Sequence, residues 1–309
     1  MASPKVVVVG SCNTDLISYT PRLPKPGETI NGHRFSIGFG GKGANQCVAA
    51  ARLGAKTAMV AMVGNDSFGR DFIQNFRDND VDVSHIGVTN EAATGVAPII
   101  VNDEGENSII VVQGANLKMT SSKVEEAEEA IEKCSVLVCQ GEITMEATLA
   151  ALKMARKHNV KTLMNAAPAD AGLDPAVIKN SDIFCVNESE AEVFTKVGVK
   201  TVQDAQHAAK ILLSKGCSSV IITLGAAGAL YSTSSENIHV PAYEVTPVDT
   251  TGAGDAFVGA MAYYLAYHPQ LTMEEMMQRS CKVASISVQA PGTQSSYPTK
   301  ENLPSYLFI

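Results

Sequence analysis

Short apolar runs alternate with longer amphipathic stretches along most of this chain. Val6 to Val9 form an uninterrupted apolar run, the pattern of a strand buried on both faces of a parallel sheet. Similar runs predict strands at 57–63, 136–139, 162–164, 183–186 and 220–224. Between them, apolar positions at helical spacing predict helices at 44–53, 68–79, 121–133, 145–158, 188–196 and 203–215. Gly54 stops the first of these. Two short β segments, 229–232 and 237–240, and two helices near 253–267 and 273–289 close the chain. Strands alternating with helices give an α/β fold, a mostly parallel sheet with helices on both faces. No internal repeat or low-complexity linker divides residues 1–309, so the chain reads as a single domain.

Two stretches break the rhythm. Residues 28–37 alternate weakly through Ile30, Phe35 and Ile37, after Pro21, Pro24, Pro26 and Gly27 have interrupted regular structure. Further on, Ile99-Ile100-Val101 and Ile109-Ile110-Val111-Val112 flank a polar turn over residues 102–107, which reads as an antiparallel hairpin. Residues 13–38 and 94–113 therefore predict a small half-exposed β-sheet beside the main one. Its apolar side chains need cover from a ligand or a second subunit.

Composition narrows the class. The chain is 45% hydrophobic and 18% charged, with a formal net charge of −8. That balance argues against nucleic acid or an anionic membrane as the main partner. The N-terminus carries only the four-valine run, too short for a signal peptide core or a spanning helix. Seven scattered cysteines without a C-x-x-C, and six isolated histidines, suggest a reduced cytoplasmic protein without a structural metal. A nuclear pool is left open by the sequence.

The candidate chemistry centres on Asp249-Thr250-Thr251-Gly252-Ala253-Gly254-Asp255. The apolar run from Ala256 onward puts Gly252, Ala253, Gly254 and Asp255 at a helix N-terminus, where unpaired N–H groups and the helix dipole favour an anion. Asp255 is then either a catalytic carboxylate or a helix cap. Polar residues also gather at the carboxyl ends of the predicted strands, where open parallel sheets bind ligands. They are Asn13 and Asp15, Glu142, Asn165, Asn187 and Glu190, and Thr223-Leu224-Gly225. This mixture of donors and acceptors suits a polyol. Gly38, Gly40 and Gly43 match the dinucleotide fingerprint G-x-G-x-x-G, and Asp66 is a candidate for the acid expected about 20 residues on. The fingerprint follows the weak 28–37 segment, however, not the buried first strand. Its glycines serve equally to bring backbone close to a sugar, with Lys42 and Asn45 bonding it.

Gly40-Gly41-Lys42-Gly43-Ala44-Asn45 early and the 249–255 motif late resemble the two signatures of the ribokinase branch of the PfkB sugar kinases. Asn13-Thr14-Asp15, Asn187-Glu188-Ser189-Glu190 and Thr223-Leu224-Gly225 extend the resemblance over nearly the whole chain. It implies a three-layer ribokinase-like fold with the small sheet as a lid, and a homodimer formed through that lid. It implies that Asn13, Asp15, Gly41, Lys42, Asn45 and Glu142 bind D-ribose and that Asp255 is the base. ATP would meet Asn187, Thr223, Leu224, Gly225, Ala226, Ala227, Gly228 and Gly254. Relatives often carry Asn or His near the adenine, where this chain has Ser280 and Cys281. Glu190 would organise Mg²⁺ through water. An activating K⁺ would sit among Asp249, Thr251, Ser287, Ala290, Gly292 and Ser296. The implied reaction is phosphorylation of a sugar, D-ribose at its 5-hydroxyl, or else deoxyribose, fructose, ketodeoxygluconate or a nucleoside. A nicotinamide-dependent oxidoreductase and a catalytically dead sugar sensor are the readings from other classes.

Overall fold

Four consecutive valines set the centre of the molecule. In the computed structural model, which describes residues 4–309, β1 (Val6–Val9) is fully buried. Met1, Ala2 and Ser3, the start of the N-terminal stretch considered above for a leader, lie outside the described residues. Val6 and Val8 join one apolar core, Val7 and Val9 the other. This is the two-face burial that a continuous apolar run predicts. Each such side chain contributes about 1.5–3 kcal/mol relative to exposure.

From β1 the chain enters the small sheet through β2 (Asn13–Thr20) and β3 (Arg34–Gly40), then returns by α1 (Lys42–Arg52) to β4 (Thr57–Gly64). Next come α2 (Ser67–Asp78), β5 (Ile86–Thr89), and the hairpin β6 (Gly95–Asn102) and β7 (Asn107–Ile109). The main alternation continues with α3 (Ser121–Glu125), α4 (Glu128–Lys133), β8 (Val136–Gln140), α5 (Met145–Lys157), β9 (Lys161–Asn165) and α6 (Pro175–Lys179). It ends with β10 (Ile183–Asn187), α7 (Glu188–Thr195), α8 (Val202–Ser214), β11 (Ser219–Thr223), β12 (Ala229–Ser232), β13 (Asn237–Val240), α9 (Ala253–Tyr267) and α10 (Met273–Ser287). Nine strands form the main sheet in the order β13-β12-β11-β10-β9-β8-β1-β4-β5, parallel from β11 to β5. Four form the lid, ordered β3-β2-β6-β7. This is the three-layer α/β fold expected, with its β lid. Among the described residues, no helix is long and apolar enough to cross a membrane.

Three departures have local causes. The helix expected at 121–133 is split into α3 and α4. The Ala127 N–H closes on Val124 O in a tighter i→i−3 turn, and both residues stay buried. The edge strand β5 is half exposed and holds a glycine, so it carries no buried run to betray it. The single turn α6 starts at an Asp174 cap followed by Pro175, a start signal too short to accompany a periodic pattern.

Strands β8, β9 and β10 each run one residue beyond their apolar stretch. The ladder pairs Gln140 with Asn165, and Asn187 with Thr223. The parallel register thus lines amide and hydroxyl side chains along the carboxyl edge of the sheet. Helices α1 and α9 cross directly above that edge. A Cβ on Gly259 would stand 2.6 Å from Ala49 Cβ and 2.7 Å from Gln46 O, so only glycine permits this approach. Gly259→Ala is expected to destabilise the fold by about 1–3 kcal/mol, the usual range for forced overpacking. Urea unfolding of the variant against wild type measures it, with an unchanged midpoint counting against the close crossing.

Candidate active site

The start of α9 is built around a left-handed residue. Gly252 has φ 77°, and a Cβ there would stand 2.6 Å from the Tyr297 hydroxyl. Tyr297 Oη in turn donates to Gly252 O over 3.1 Å. This turn points the first N–H groups of α9 and the Asp255 side chain into a cleft of about 160 Å³. Lys42, Asn165, Asn187, Glu190, Thr223, Gly252, Gly254 and Asp255 all line it. Seven of these eight were expected site residues, drawn from four separate parts of the chain. Asn165 was expected only as a polar strand end.

Asp255 is only 7% exposed. A carboxylate so buried needs hydrogen bonds to stay charged, and α1 supplies two. Asn45 Nδ2 donates to Oδ2 over 2.9 Å, and Gln46 Nε2 to Oδ1 over 2.8 Å. Asn45 therefore touches the carboxylate itself, besides being an expected sugar ligand. Gln294 Nε2 donates to Asn45 Oδ1 over 3.0 Å. Gln46, Gln294 and Gln140 were not singled out from the sequence. Long amides in a helix, a loop and a strand give no pattern that would have marked them.

The other end of the site lies where the lid joins β1. Glu142 Oε2 accepts from Ser11 Oγ at 2.6 Å and from the Lys42 N–H at 2.8 Å, which ties the start of α1 to the end of β8. Asn13 Oδ1 accepts from Asn116 Nδ2 at 2.8 Å, and Asn116 also bonds both backbone groups of Cys12. Gly41, at φ 85°, turns the chain from β3 into α1, and a Cβ there would press on Asn13 N. Asp66, the acid a dinucleotide reading requires, is instead the cap of α2, bonded to Gly69 N and to Thr94. The strand before the fingerprint belongs to the lid and pairs antiparallel with β2. Both observations remove the basis of the oxidoreductase reading.

Charge in the site is dense and mostly negative. Burial, with the Glu142 and Asp255 charges, raises the Asp15 carboxyl to about 7. Burial alone would lower the Lys42 ammonium, but attraction from Asp255, Glu142 and Glu190 wins and holds it above its ordinary value. Glu190 is raised by burial, only partly offset by the N–H of Asn187. It completes a capping box at α7, with its Oε2 on Asn187 N and Asn187 Oδ1 on Glu190 N. One Glu190 oxygen is left for the cleft.

The remaining expected contacts lie around this centre. Gly225, Ala226 and Ala227 form an exposed turn after β11. Leu224 packs its side chain into the core, and its N–H donates to Gly228 O. Cys281 is buried in α10, away from the residues lining the cleft. Asp249 accepts from the N–H groups of Thr251 and Gly292, each at 2.9 Å, and so ties the loop before α9 to the segment after α10. Burial would raise this carboxyl, yet those two donors hold it below the usual range. Ser287 and Ser296 hydroxyls donate to nearby backbone carbonyls, and Ala290 lies between them in sequence. No cluster of three or more His, Cys, Asp or Glu side chains suited to a metal occurs among the described residues.

A buried carboxylate at a helix N-terminus, a lysine beside it and a polar strand rim under a β lid define a phosphotransferase site of the sugar-kinase kind. The pfkB family carbohydrate kinase model matches residues 3–300. Mouse ribokinase is 57% identical over 98% of this chain and 94% of its own length. Deoxyribokinase of Salmonella typhi is 40% identical over 98% of this chain and 99% of its own. The solved structure of Arabidopsis thaliana ribokinase complexed with ribose and ATP superposes with a TM-score of 0.92 at 29% identity, covering 99% of both chains. The chain belongs to the pfkB family of carbohydrate kinases.

The Asp15 carboxyl yields a test that needs no substrate. Between its unfolded value of 3.8 and about 7, the folded protein holds a proton the unfolded chain releases. Stability therefore falls as pH rises through that window. Asp15→Asn is expected to raise the Tm of the ligand-free protein by a few degrees at pH 8 and hardly at all at pH 4. Calorimetry at the two pH values checks this, and an equal shift at both would contradict it.

Proposed function

We propose that this chain is an ATP:D-ribose 5-phosphotransferase, transferring the γ-phosphoryl group of ATP to the primary hydroxyl of D-ribose. The observation that carries the reading is Asp255, buried in the first turn of α9 and lining one cleft with Lys42. The similarity to mouse ribokinase supports ribose as the sugar. The 40% identity to a deoxyribokinase makes deoxyribose the second candidate. Asn13, Asp15, Gly41, Lys42, Asn45 and Glu142 are assigned to the sugar. Their carboxylates, amides and ammonium match the donors and acceptors of a ring of hydroxyls.

In the reaction, Asp255 accepts the proton of the 5-hydroxyl as that oxygen attacks the γ-phosphorus. The bond from the γ-phosphorus to the bridging oxygen breaks in line, and ADP leaves. Asn45 and Gln46 occupy one lone pair on each Asp255 oxygen, so others stay available for the hydroxyl. N–H groups of Gly252, Ala253, Gly254 and Asp255, with the α9 dipole, stabilise charge on the phosphoryl group. The Lys42 ammonium adds a full positive charge. Nucleotide binding is assigned to Asn187, to residues 223–228, to Gly254 and to Cys281, which does not line the cleft.

Mg²⁺ fits Glu190 as a water-mediated partner, since one cleft-facing carboxylate oxygen is the sparse protein ligation Mg²⁺ accepts beside phosphates. When bound, it would neutralise charge on the β- and γ-phosphates. K⁺ fits the Asp249 loop, where a carboxylate already stitches residues 249–251 to Gly292. Such an ion would shape the α9 turn and do no chemistry itself. Thr251, Ser287, Ala290, Gly292 and Ser296 are assigned to the same cation. A homodimer through the lid fits its outer face, where Phe35, Ile37, Ile110 and Val112 are 52–68% exposed on one side of the four strands. Residues 1–309 are read as one kinase domain.

An ADP-release assay over a sugar panel, with and without K⁺, is expected to give ribose the highest kcat/KM and faster turnover with the ion. Asp255→Ala is expected to lower kcat by roughly 10²-fold or more. Turnover equal to wild type in that variant would sink the reading. Sedimentation is expected to give twice the chain mass for wild type and the single mass for the Ile37→Asp, Ile110→Asp double variant.

A further inference from the structure

We propose that Gln46 and Gln140 form an amide relay that fixes the orientation of the Asp255 carboxylate, with both acting as positioning residues. The proposal rests on the reading of Asp255 as the base. Gln46 and Gln140 are 1% and 0% exposed and do not themselves line the cleft, so they stand behind its wall. Gln46 Nε2 spends both its hydrogens on acceptors, Asp255 Oδ1 at 2.8 Å and Asn165 Oδ1 at 2.9 Å. Its Oε1 accepts from Gln140 Nε2 at 2.7 Å.

The direction of this chain is forced. If Gln46 were turned over, its carbonyl oxygen would face a carboxylate and a second carbonyl, with no hydrogen between them. Gln46 therefore has to present oxygen to Gln140, and Gln140 has to present nitrogen. The far end of Gln140 gains nothing from the arrangement. Its Oε1 is buried without a partner and lies where any side chain on Gly10 would overlap it. Leaving a buried oxygen unpaired opposes folding, so the orientation of Gln140 answers to Gln46 and, through it, to Asp255. Gly43 makes the arrangement possible, because a Cβ there would press into Gly10 and hold α1 away. The Asn45–Gln294 pair grips the other carboxylate oxygen in the same manner. Adjacent residues of one helix thus take one oxygen each, and each is backed by a glutamine from elsewhere.

Two substitutions at Gln140 separate orientation from packing. Gln140→Glu keeps the shape but supplies only acceptors, so it calls for the Gln46 nitrogen and pulls that amide away from Asp255. Gln140→Met keeps the length and makes no demand. With ribose and ATP as the assayed pair, Gln140→Glu is expected to lose about 10- to 100-fold in kcat, the scale of a misplaced reacting group. Its KM values for both substrates should stay within about twofold of wild type, and Gln140→Met, which only withdraws the backing donor, should lose about three- to tenfold in kcat. Gln46→Met, which removes the donor directly, is expected to match the loss in Gln140→Glu. Equal losses in the two Gln140 variants, or wild-type kcat in either Gln140→Met or Gln46→Met, would overturn the relay. Should Gln140→Glu fail to fold, Gln46→Met decides alone. Absence of sugar turnover in the wild type would instead overturn the reading of the base, so the two failures are distinct.

Discussion

A carboxylate almost removed from water has to be surrounded by donors, and in this protein that requirement organises the architecture around it. Asp255 projects from α9, its two amide donors from α1, and their backing amides from β8 and from the loop after α10. None of these elements is a sequence neighbour of another. The site exists only when α1 and α9 cross closely over the edge of the main sheet, which Gly259 allows by having no side chain. Core packing and catalytic geometry are therefore one problem here. The two apolar cores hold the sheet, and the sheet delivers Gln140, Asn165 and Asn187 in register to the place where the helices meet.

Much of this was readable beforehand, for identifiable reasons. Val6 to Val9 is an unbroken apolar run, and such runs have few structural solutions. The 249–255 and 40–45 motifs combine glycines with charged residues in a way core packing does not produce. Glu142 and Glu190 come three and four residues after apolar runs, so their place at the sheet edge follows from topology, whereas Asp15 lies within β2 of the lid. What stayed hidden was polar chemistry without local pattern. Gln46 sits inside a helix, Gln140 at the end of an apolar strand, and Gln294 in a short 3₁₀ turn. A glutamine in any of these places is ordinary until the fold brings it to a carboxylate. The edge strand β5 was missed for the opposite reason, because half exposure leaves no hydrophobic signature.

Under the proposed reaction, the side assigned to the nucleotide is more open in form. Of residues 223–228, Thr223 lines the cleft while 225–227 lie exposed on a turn after β11. On the side proposed for the sugar, Glu142 holds both Ser11 and the Lys42 N–H and so fixes the polar groups there. The difference matches what each ligand requires. A neutral sugar is recognised by fixed, desolvated polar groups, whereas a polyanionic nucleotide keeps part of its surface in water.

One consequence follows from the crowding of Glu142, Glu190 and Asp255 around a single lysine, with Asp15 beside two of them. Under the proposed reaction the sugar enters uncharged and pairs its hydroxyls with these carboxylates, relieving their mutual repulsion. It leaves bearing a phosphate dianion among the same groups. The field that makes the empty pocket receptive to a polyol thus makes it inhospitable to the phosphorylated product. Discharge of that product is in this sense prepared before the substrate arrives.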